Sequence, residues 1–260
     1  MKKILSHKVA ENFSAGAETY DGAAYFQRHS AGIFSEFIFS SVKGKKNPRK
    51  ILEIGCGTGF LTERLMEAIP SASFTVSDIS GTMLRKCEKK TLEIKNRKNI
   101  NAGYIVSDMS DGVRDENFDM IVSALAFQWA ENVHSSLGKL REKLADGGTV
   151  FFSTLTEGTF AGIADVFRSA DVKYPGPEML SLGHIRELCL SVFSQVRTRS
   201  GVFTEEHVSV LEFLKHIKAT GAGNATGETL SAADLRRVIK SAGNRSVSAE
   251  YHLAFFECVK

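Results

Sequence analysis

Three glycines at alternate positions, Gly55, Gly57 and Gly59, interrupt an otherwise apolar stretch, ILEIGCGTGFLTERL, from Ile51 to Leu65. Glycines so spaced let a backbone approach a ligand closely, because no Cβ stands in the way. Two carboxylates flank them. Glu53 precedes the turn inside an apolar strand, and Asp78 falls near the end of the alternating run Ser73–Ile79. Asp78 lies about twenty residues beyond the last of these glycines, where a second parallel strand delivers an acid to ribose hydroxyls. One carboxylate there accepts two hydrogen bonds from a vicinal diol. The other duty open to Asp78 is that of a charge at a helix N-terminus, since Ser80 reads as the N-cap of a helix from Gly81 to about Glu93.

Particular elements must hold these groups. Ile51–Ile54 reads as a short buried strand, and from Phe60 onward Leu61, Leu65 and Met66 recur at helical spacing. Strand, glycine turn and helix in that order form the first unit of a nucleotide-binding α/β sheet. The helix start adds free N–H groups and a positive dipole end. An ordinary tight turn between strand and helix would use the same glycines.

The dinucleotide fingerprint G-x-G-x-x-G is not met, because Phe60 occupies its third glycine position. The pattern present, E-x-G-x-G-x-G from Glu53 to Gly59, resembles motif I of the class I S-adenosylmethionine-dependent methyltransferases. That donor carries an ammonium, a carboxylate and a sulfonium but no phosphate, so an acidic strand end suits it. The resemblance assigns cofactor binding to Glu53, Gly55, Gly57, Gly59, Asp78 and the adjoining Ile79. It extends to Asp108, at the end of the third strand Asn101–Met109, where an acid of this class meets the adenine amino group. Met109 would pack on the adenine face; a surface-turn aspartate is the alternative for Asp108. The fourth strand, Phe118–Val122, follows the turn DGVRDEN and runs into Ser123–Trp129. Ligands of open parallel sheets sit outside the carboxyl ends of the strands, so this segment, from Ser123 on, borders the transferred methyl. It contains no N-P-P-Y and no acid or base built for proton removal. Phe127 and Trp129 would pack beneath a lid or border the acceptor.

The remaining chain supplies the frame. Residues 8–40 read as helix with a break around Tyr20-Asp21-Gly22, either covering the sheet or bringing Phe13, Tyr20 and Gln27 over the methionine end of the cofactor. KGKKNPRK, residues 43–50, reads as a solvated basic loop. Asn132–Leu144 is a helix ended by Asp146-Gly147-Gly148, and Thr149–Leu155 is a fifth strand. Beyond it come glycines and prolines around a short helix to Pro177, a helix at Gly183–Leu190, a strand at Val192–Ser200 and a second short one at Val202–Glu206. Val208–Lys218 is amphipathic, and Ala219–Gly227 is a glycine-rich loop. Ser231 caps a helix with Asp234 at its third position, and Ser246–Val259 alternates as the closing strand. The expected fold is a single Rossmann-like α/β domain over residues 1–260, a mostly parallel seven-stranded sheet with helices on both faces and an antiparallel terminal strand. Residues 8–40 form a helical cover and about 156–230 a helical lid.

Composition narrows the function classes. The 260 residues are 43% hydrophobic and 24% charged, with a formal net charge of +3. That balance does not argue for nucleic-acid binding and leaves room for an acidic protein partner. Cys56, Cys87, Cys189 and Cys258 form no C-x-x-C pair and no metal-ligand spacing, so no metal is expected and reduced thiols of a cytoplasmic protein are. No stretch approaches a membrane span, and the basic N-terminus lacks a signal-peptide apolar run.

Several segments together resemble one family, the malonyl-acyl carrier protein O-methyltransferases of biotin synthesis. They are Phe13-x3-Ala17-x2-Tyr20-x3-Ala24-x2-Gln27, LAFQWAENVHSSLGKL from Leu125, FFSTLTEGTF from Phe151, LEFLKHIKATGAG from Leu211 and YHLAFFECVK from Tyr251. Lys218 departs from the glycine usual at its position, and Leu144-Ala-Asp-Gly-Gly departs from an R-P-G-like ending. The resemblance implies methyl transfer from S-adenosylmethionine to the free carboxylate of a malonyl thioester. That carboxylate, with a pKa of about 4, is already the nucleophile. Tyr20 would close and position the site, and Arg141 would pair with the acceptor carboxylate, unless it is a surface helix arginine. Lys215, Lys218, Arg236, Arg237 and Lys240 would dock an acidic acyl carrier protein, unless they are a solvated helix face. A methyltransferase for another small carboxylic acid such as aconitate, a carbon methyltransferase of quinone synthesis and a non-catalytic S-adenosylmethionine-binding protein are the competing readings. Carrier-protein or coenzyme A thioester, and oligomeric state, stay open.

Overall fold

Short apolar strands alternating with amphipathic helices wind into one sheet, described by a computed structural model for residues 5–109, 113–114, 116–223, 230–243 and 245–260. Two helices lead, α1 (Ser6–Ala23) and α2 (Tyr25–Val42). Then come β1 (Lys50–Ile54), α3 (Phe60–Ala68), β2 (Ser73–Asp78), α4 (Gly81–Arg97), β3 (Ala102–Val106) and β4 (Phe118–Ala124). A 3-10 turn (Phe127–Trp129) leads to α5 (Val133–Lys143), β5 (Leu144–Leu155), α6 (Ala161–Ser169) and α7 (Leu182–Val192). The chain closes with β6 (Gln195–His207), α8 (Val210–Ala219), α9 (Ala232–Ala242) and β7 (Val247–Val259).

The seven strands lie in the order β3-β2-β1-β4-β5-β7-β6. The first five pair in parallel, and β7 runs antiparallel to both β5 and β6. The strand order reverses between β1 and β4, which places a crevice outside their carboxyl ends. Alternation along β1 sends Ile51 to one face and Leu52 and Ile54 to the other. On the first face Phe34, Ile38, Leu65, Val76, Val122 and Phe255 form a buried cluster under α2 and α3. On the second, Leu137 and Leu140 of α5 and Ile185 of α7 cover Leu52, Ile121 and Val150. There the rings of Phe127, Phe152 and Phe256 stack at 4.3 and 4.6 Å.

Side-chain caps fix several helix starts. Ser80 accepts from the Met83 N–H, Asn132 from that of Ser135, and Ser231 with Asp234 forms a capping box. Among the described residues no helix is long and apolar enough to cross a membrane.

Several boundaries differ from the sequence reading. The N-terminal helix breaks at Ala24, not at Tyr20–Gly22. Asp146-Gly147-Gly148 does not end α5, which stops at Lys143; these residues form an irregularity within β5, with Gly147 at φ +72°. The register shift between the Phe118–Leu144 and Met120–Thr149 pairs absorbs them. β6 is one strand of 13 residues, not two, because Gly201 stays in register opposite Leu253. It forms the edge of the sheet, so the span 156–230 is shared between sheet and cavity wall. Asp111, Gly112 and Asp115 of the expected turn 111–117, and the loop end at Gly227, lie outside the described residues.

Candidate active site

The glycine turn is held by close packing on both sides. Gly55 has φ +69°, and a Cβ there would lie 2.6 Å from the Ala126 Cβ. Gly59 has φ +97°, and a Cβ there would lie 2.9 Å from the Cys87 Sγ on α4. Gly57, at φ +55°, has no heavy atom nearer to that position than the Tyr20 Oη at 3.9 Å, so its open side faces a cavity. The Gly57 N–H donates to Asp78 Oδ2 at 2.8 Å, and the Ser80 N–H donates to Oδ1 at 2.8 Å. Each carboxylate oxygen keeps a further lone pair for a ligand. Burial raises the Asp78 carboxyl to about 6, against the pull of those two N–H groups.

Glu53 is 1% exposed beneath the turn and does not line the cavity. Burial raises its carboxyl to about 8, outweighing a hydrogen bond with Thr62, and Asp78 adds repulsion. The acid is therefore largely protonated at neutral pH in the unliganded protein, and its Oε2 has no partner among the described residues.

The cavity, of about 760 Å³, opens where β1, β2 and β4 end. Ile79, Ser107, Asp108 and Met109 line it beside Asp78. Phe160, Tyr174, Met179, Phe213 and Tyr251 line another part. Aromatic rings roof it: Tyr20 stacks on Phe60 at 6.1 Å, and Phe13 meets Tyr20 at 6.5 Å and Trp129 at 5.9 Å edge-on. Burial, reinforced by the charges of Asp78 and Asp21 and by Cys56, pushes the Tyr20 phenol far above its ordinary value. Tyr20 is thus a neutral O–H donor, not a base. The Gln27 amide also lines the cavity, with a buried Oε1 that has no partner among the described residues.

The segment after β4 is held by hydrogen bonds to β5. Leu125 is left-handed at φ +52°, and its N–H donates to the Ser153 carbonyl at 3.0 Å. Gln128 Nε2 donates to the Leu125 carbonyl at 2.7 Å, while its Oε1 accepts from Thr154 at 3.2 Å.

α1 is fastened over this arrangement. Thr58 Oγ1 donates to Asp21 Oδ1 at 2.5 Å, and Lys90 Nζ meets Asp21 Oδ2 at 2.9 Å. Partial burial alone would raise the Asp21 carboxyl, but Thr58 and Lys90 together hold it below its ordinary value. Lys90 and Arg28 lie over the Phe60 ring at 4.2 and 4.7 Å. Ser14 and Ser80 share a hydrogen bond of 2.8 Å.

Of the residues expected from sequence, Tyr20, Gly55, Gly57, Asp78, Ile79, Asp108 and Met109 line one cavity, and Gly59 completes its turn. Glu53 lies behind it. Ser123 also does not line it: the residue is fully buried within β4, and the chain reaches the cavity from Ala124 onward. Arg141 is exposed on α5, which packs on the sheet face opposite α2 and α3, and it does not line the cavity. Lys218 lines the cavity, whereas Lys215, Arg236, Arg237 and Lys240 do not; Arg237 pairs with Asp234 at 2.6 Å. Sequence reasoning missed Asp21, Thr58, Tyr174 and Tyr251. Tyr174-Pro175-Gly176-Pro177 gave a signal in its turn residues, and Asp21 gave none.

Known proteins share this chain's pattern. A family described as a methyltransferase domain matches residues 52–150. The malonyl-[acyl-carrier protein] O-methyltransferase 2 of Ilyobacter polytropus is 32% identical over 224 residues, 85% of this chain and 83% of that protein. The biotin biosynthesis bifunctional protein BioCD of Bordetella avium is 31% identical over 255 residues, 97% of this chain and 52% of that protein. The solved plantazolicin methyltransferase BpumL, in complex with a desmethyl analog and S-adenosylhomocysteine, has the same fold, with a TM-score of 0.54 at 20% identity over 98% of this chain and 96% of that one.

Proposed function

The chain belongs to the malonyl-[acyl-carrier protein] O-methyltransferase family, and we propose that it methylates the free carboxylate of a malonyl thioester with S-adenosylmethionine as donor. The observation that carries this reading is the cavity itself. A glycine turn and a buried strand-end acid adjoin an aromatic chamber in which Tyr20 is a neutral donor. Among the described residues no histidine lines it. Such a site suits an acceptor that arrives already ionised.

The residues present fit the donor. Asp78 retains lone pairs for a ribose diol, Gly57 has an open side, and Gln27 offers an unpartnered amide oxygen to the methionine end. Asp108 and Met109 line the same cavity as Asp78 and would face the adenine. When bound, the donor supplies an electrophilic methyl on a sulfonium.

The protein's part is positioning. A malonyl carboxylate, with a pKa of about 4, needs no base at neutral pH. Tyr20 donates a hydrogen bond that offsets its desolvation. Phe13, Tyr20 and Trp129 exclude water, and Gln128 fixes the floor beneath the reacting atoms. Pre-orientation of this kind is worth on the order of 7–11 kcal/mol of barrier. Esterification removes the negative charge, and the product is an apolar acyl group suited to elongation toward pimelate and biotin.

The exposed cations Lys215, Arg236 and Lys240 would receive an acidic carrier protein, and the compartment would be the cytoplasm. Labelled S-adenosylmethionine offered with malonyl-acyl carrier protein, malonyl-coenzyme A and aconitate side by side tests the reading. Preferred labelling of the malonyl carrier protein supports it. Labelling of aconitate alone, or tight donor binding with no turnover on any acceptor, sinks it.

A further inference from the structure

Five charged side chains line the cavity among the described residues: Lys8, Glu11, Asp78, Asp108 and Lys218. Asp78 and Asp108 stand in the half assigned to the donor. Lys8 and Glu11 lie three residues apart on α1, so that a cation and an anion adjoin on one helix. Lys218 is the remaining cation.

Its place is fixed by backbone packing. Lys218 is in the last turn of α8 and is exposed, so it stands where the cavity meets solvent. The next residue, Ala219, accepts from Thr19 Oγ1 of α1 at 2.8 Å. A Cβ on Gly16 of α1 would lie 2.8 Å from the Gly221 nitrogen, so the two backbones touch. α1 therefore holds the end of α8 at the cavity rim. Along α8, Phe213, Leu214, Ile217 and Lys218 all line the cavity and fall on one helical stripe. The stripe begins with a fully buried ring and ends in an exposed ammonium.

A carrier-bound malonyl group has a matching polarity. The acyl end enters first on a slender pantetheine arm, and the phosphodiester remains at the arm's outer end. We propose that Lys218 binds that phosphodiester at the cavity mouth, and so selects acceptors delivered on a phosphorylated arm. This rests on the malonyl thioester reading given above. An ammonium at the solvent boundary suits the outer anion of the arm, whereas the reacting carboxylate must lie inside, near Tyr20. A lysine in the last turn of a helix also interacts favourably with the helix C-terminus, which is a purely structural duty; the test must separate the two.

Methylation of malonyl-acyl carrier protein by the full-length enzyme is measured with phosphopantetheine or pantetheine as competing inhibitor. For the unaltered protein, phosphopantetheine should inhibit at about tenfold lower concentration, the worth of one charge-assisted hydrogen bond. Lys218→Met should erase that difference and raise KM for the carrier substrate, with kcat and donor affinity unchanged. Lys218→Arg should restore it. Equal inhibition of the unaltered enzyme by the two compounds, or no inhibition by either, overturns the assignment. So does a Lys218→Met enzyme that still discriminates, or one that loses only thermal stability. Absence of turnover on the carrier substrate would instead remove the reaction itself, and the assignment with it.

Discussion

If Asp78 holds the donor's ribose as proposed, it carries the pH dependence of donor binding. Its carboxyl sits near 6 in the unliganded protein because burial outweighs the two N–H donors. A ribose diol donates to the ionised form, so binding requires loss of the proton below that pH. Donor affinity is expected to be flat above pH 6 and to fall by up to about tenfold per unit below it. Isothermal titration from pH 5 to 8 measures this, and a flat profile would contradict the assignment. Asp78→Asn should abolish the slope and weaken binding by about tenfold or more. Gly55 is constrained differently. Its left-handed backbone costs any other residue about 1–3 kcal/mol, and a Cβ would also strike Ala126 at 2.6 Å. Gly55→Ala should lower stability by at least about that amount and impair donor binding. Gly103→Ala is the control, since a Cβ there meets nothing within 4 Å. Comparable thermal unfolding of the two variants would show that the turn is not so tightly constrained. The gathering of the glycine turn, Asp78 and Asp108 at one cavity was legible in the sequence because strand ends impose their spacing, whereas Glu53 lies behind that cavity. Of the two duties open to Arg141, its exposure on a helix that packs on the other side of the sheet agrees with a surface helix arginine, and no local pattern reveals that placement.

At the level of elements, α1 covers the site and is held to it from two sides. It is fastened to the glycine turn and α4 through Asp21, Thr58 and Lys90, and to α8 through Thr19 and Gly16. The Asp21–Lys90 pair is partly exposed and contributes little to global stability, about 0–1 kcal/mol. Its effect is expected on release. Asp21→Asn should speed dissociation of the donor by roughly three- to tenfold, on the scale of about 1 kcal/mol, with little change in melting temperature. Stopped-flow fluorescence of Trp129 reports it, and an unchanged release rate would rule out the fastening role. Asp21 could not be read from the sequence, since its partners lie 37 residues away at Thr58 and farther still on α4. The helices and parallel strands up to β5 were legible apart from their bounds, because each has its own apolar period, to which Ser80 and Asn132 add caps for α4 and α5. β6 was divided in two because Gly201 interrupts its pattern, although pairing with β7 keeps it extended. The glycines after α5 were read as a helix end when they serve as an irregularity in β5.

The whole molecule divides its labour across one cavity. Consecutive strand ends of the parallel sheet build the donor half, and the chain meets them in order. The acceptor part gathers Phe160, Tyr174, Phe213 and Tyr251 from four separate segments, so its shape exists only once β7 has closed the sheet. That is why the residues proposed for the donor could be read one by one from the sequence, and those proposed for the acceptor chiefly through resemblance to a family. The identity of the methylated atom decides the function. Intact mass spectrometry of malonyl-acyl carrier protein, after incubation with the enzyme and S-adenosylmethionine, tests it most directly. The account predicts one added methyl on the malonyl group, removable by mild alkali as an ester. A methyl elsewhere on the carrier protein, one resistant to alkali, or an unmodified substrate beside an enzyme that binds the donor tightly, would contradict it.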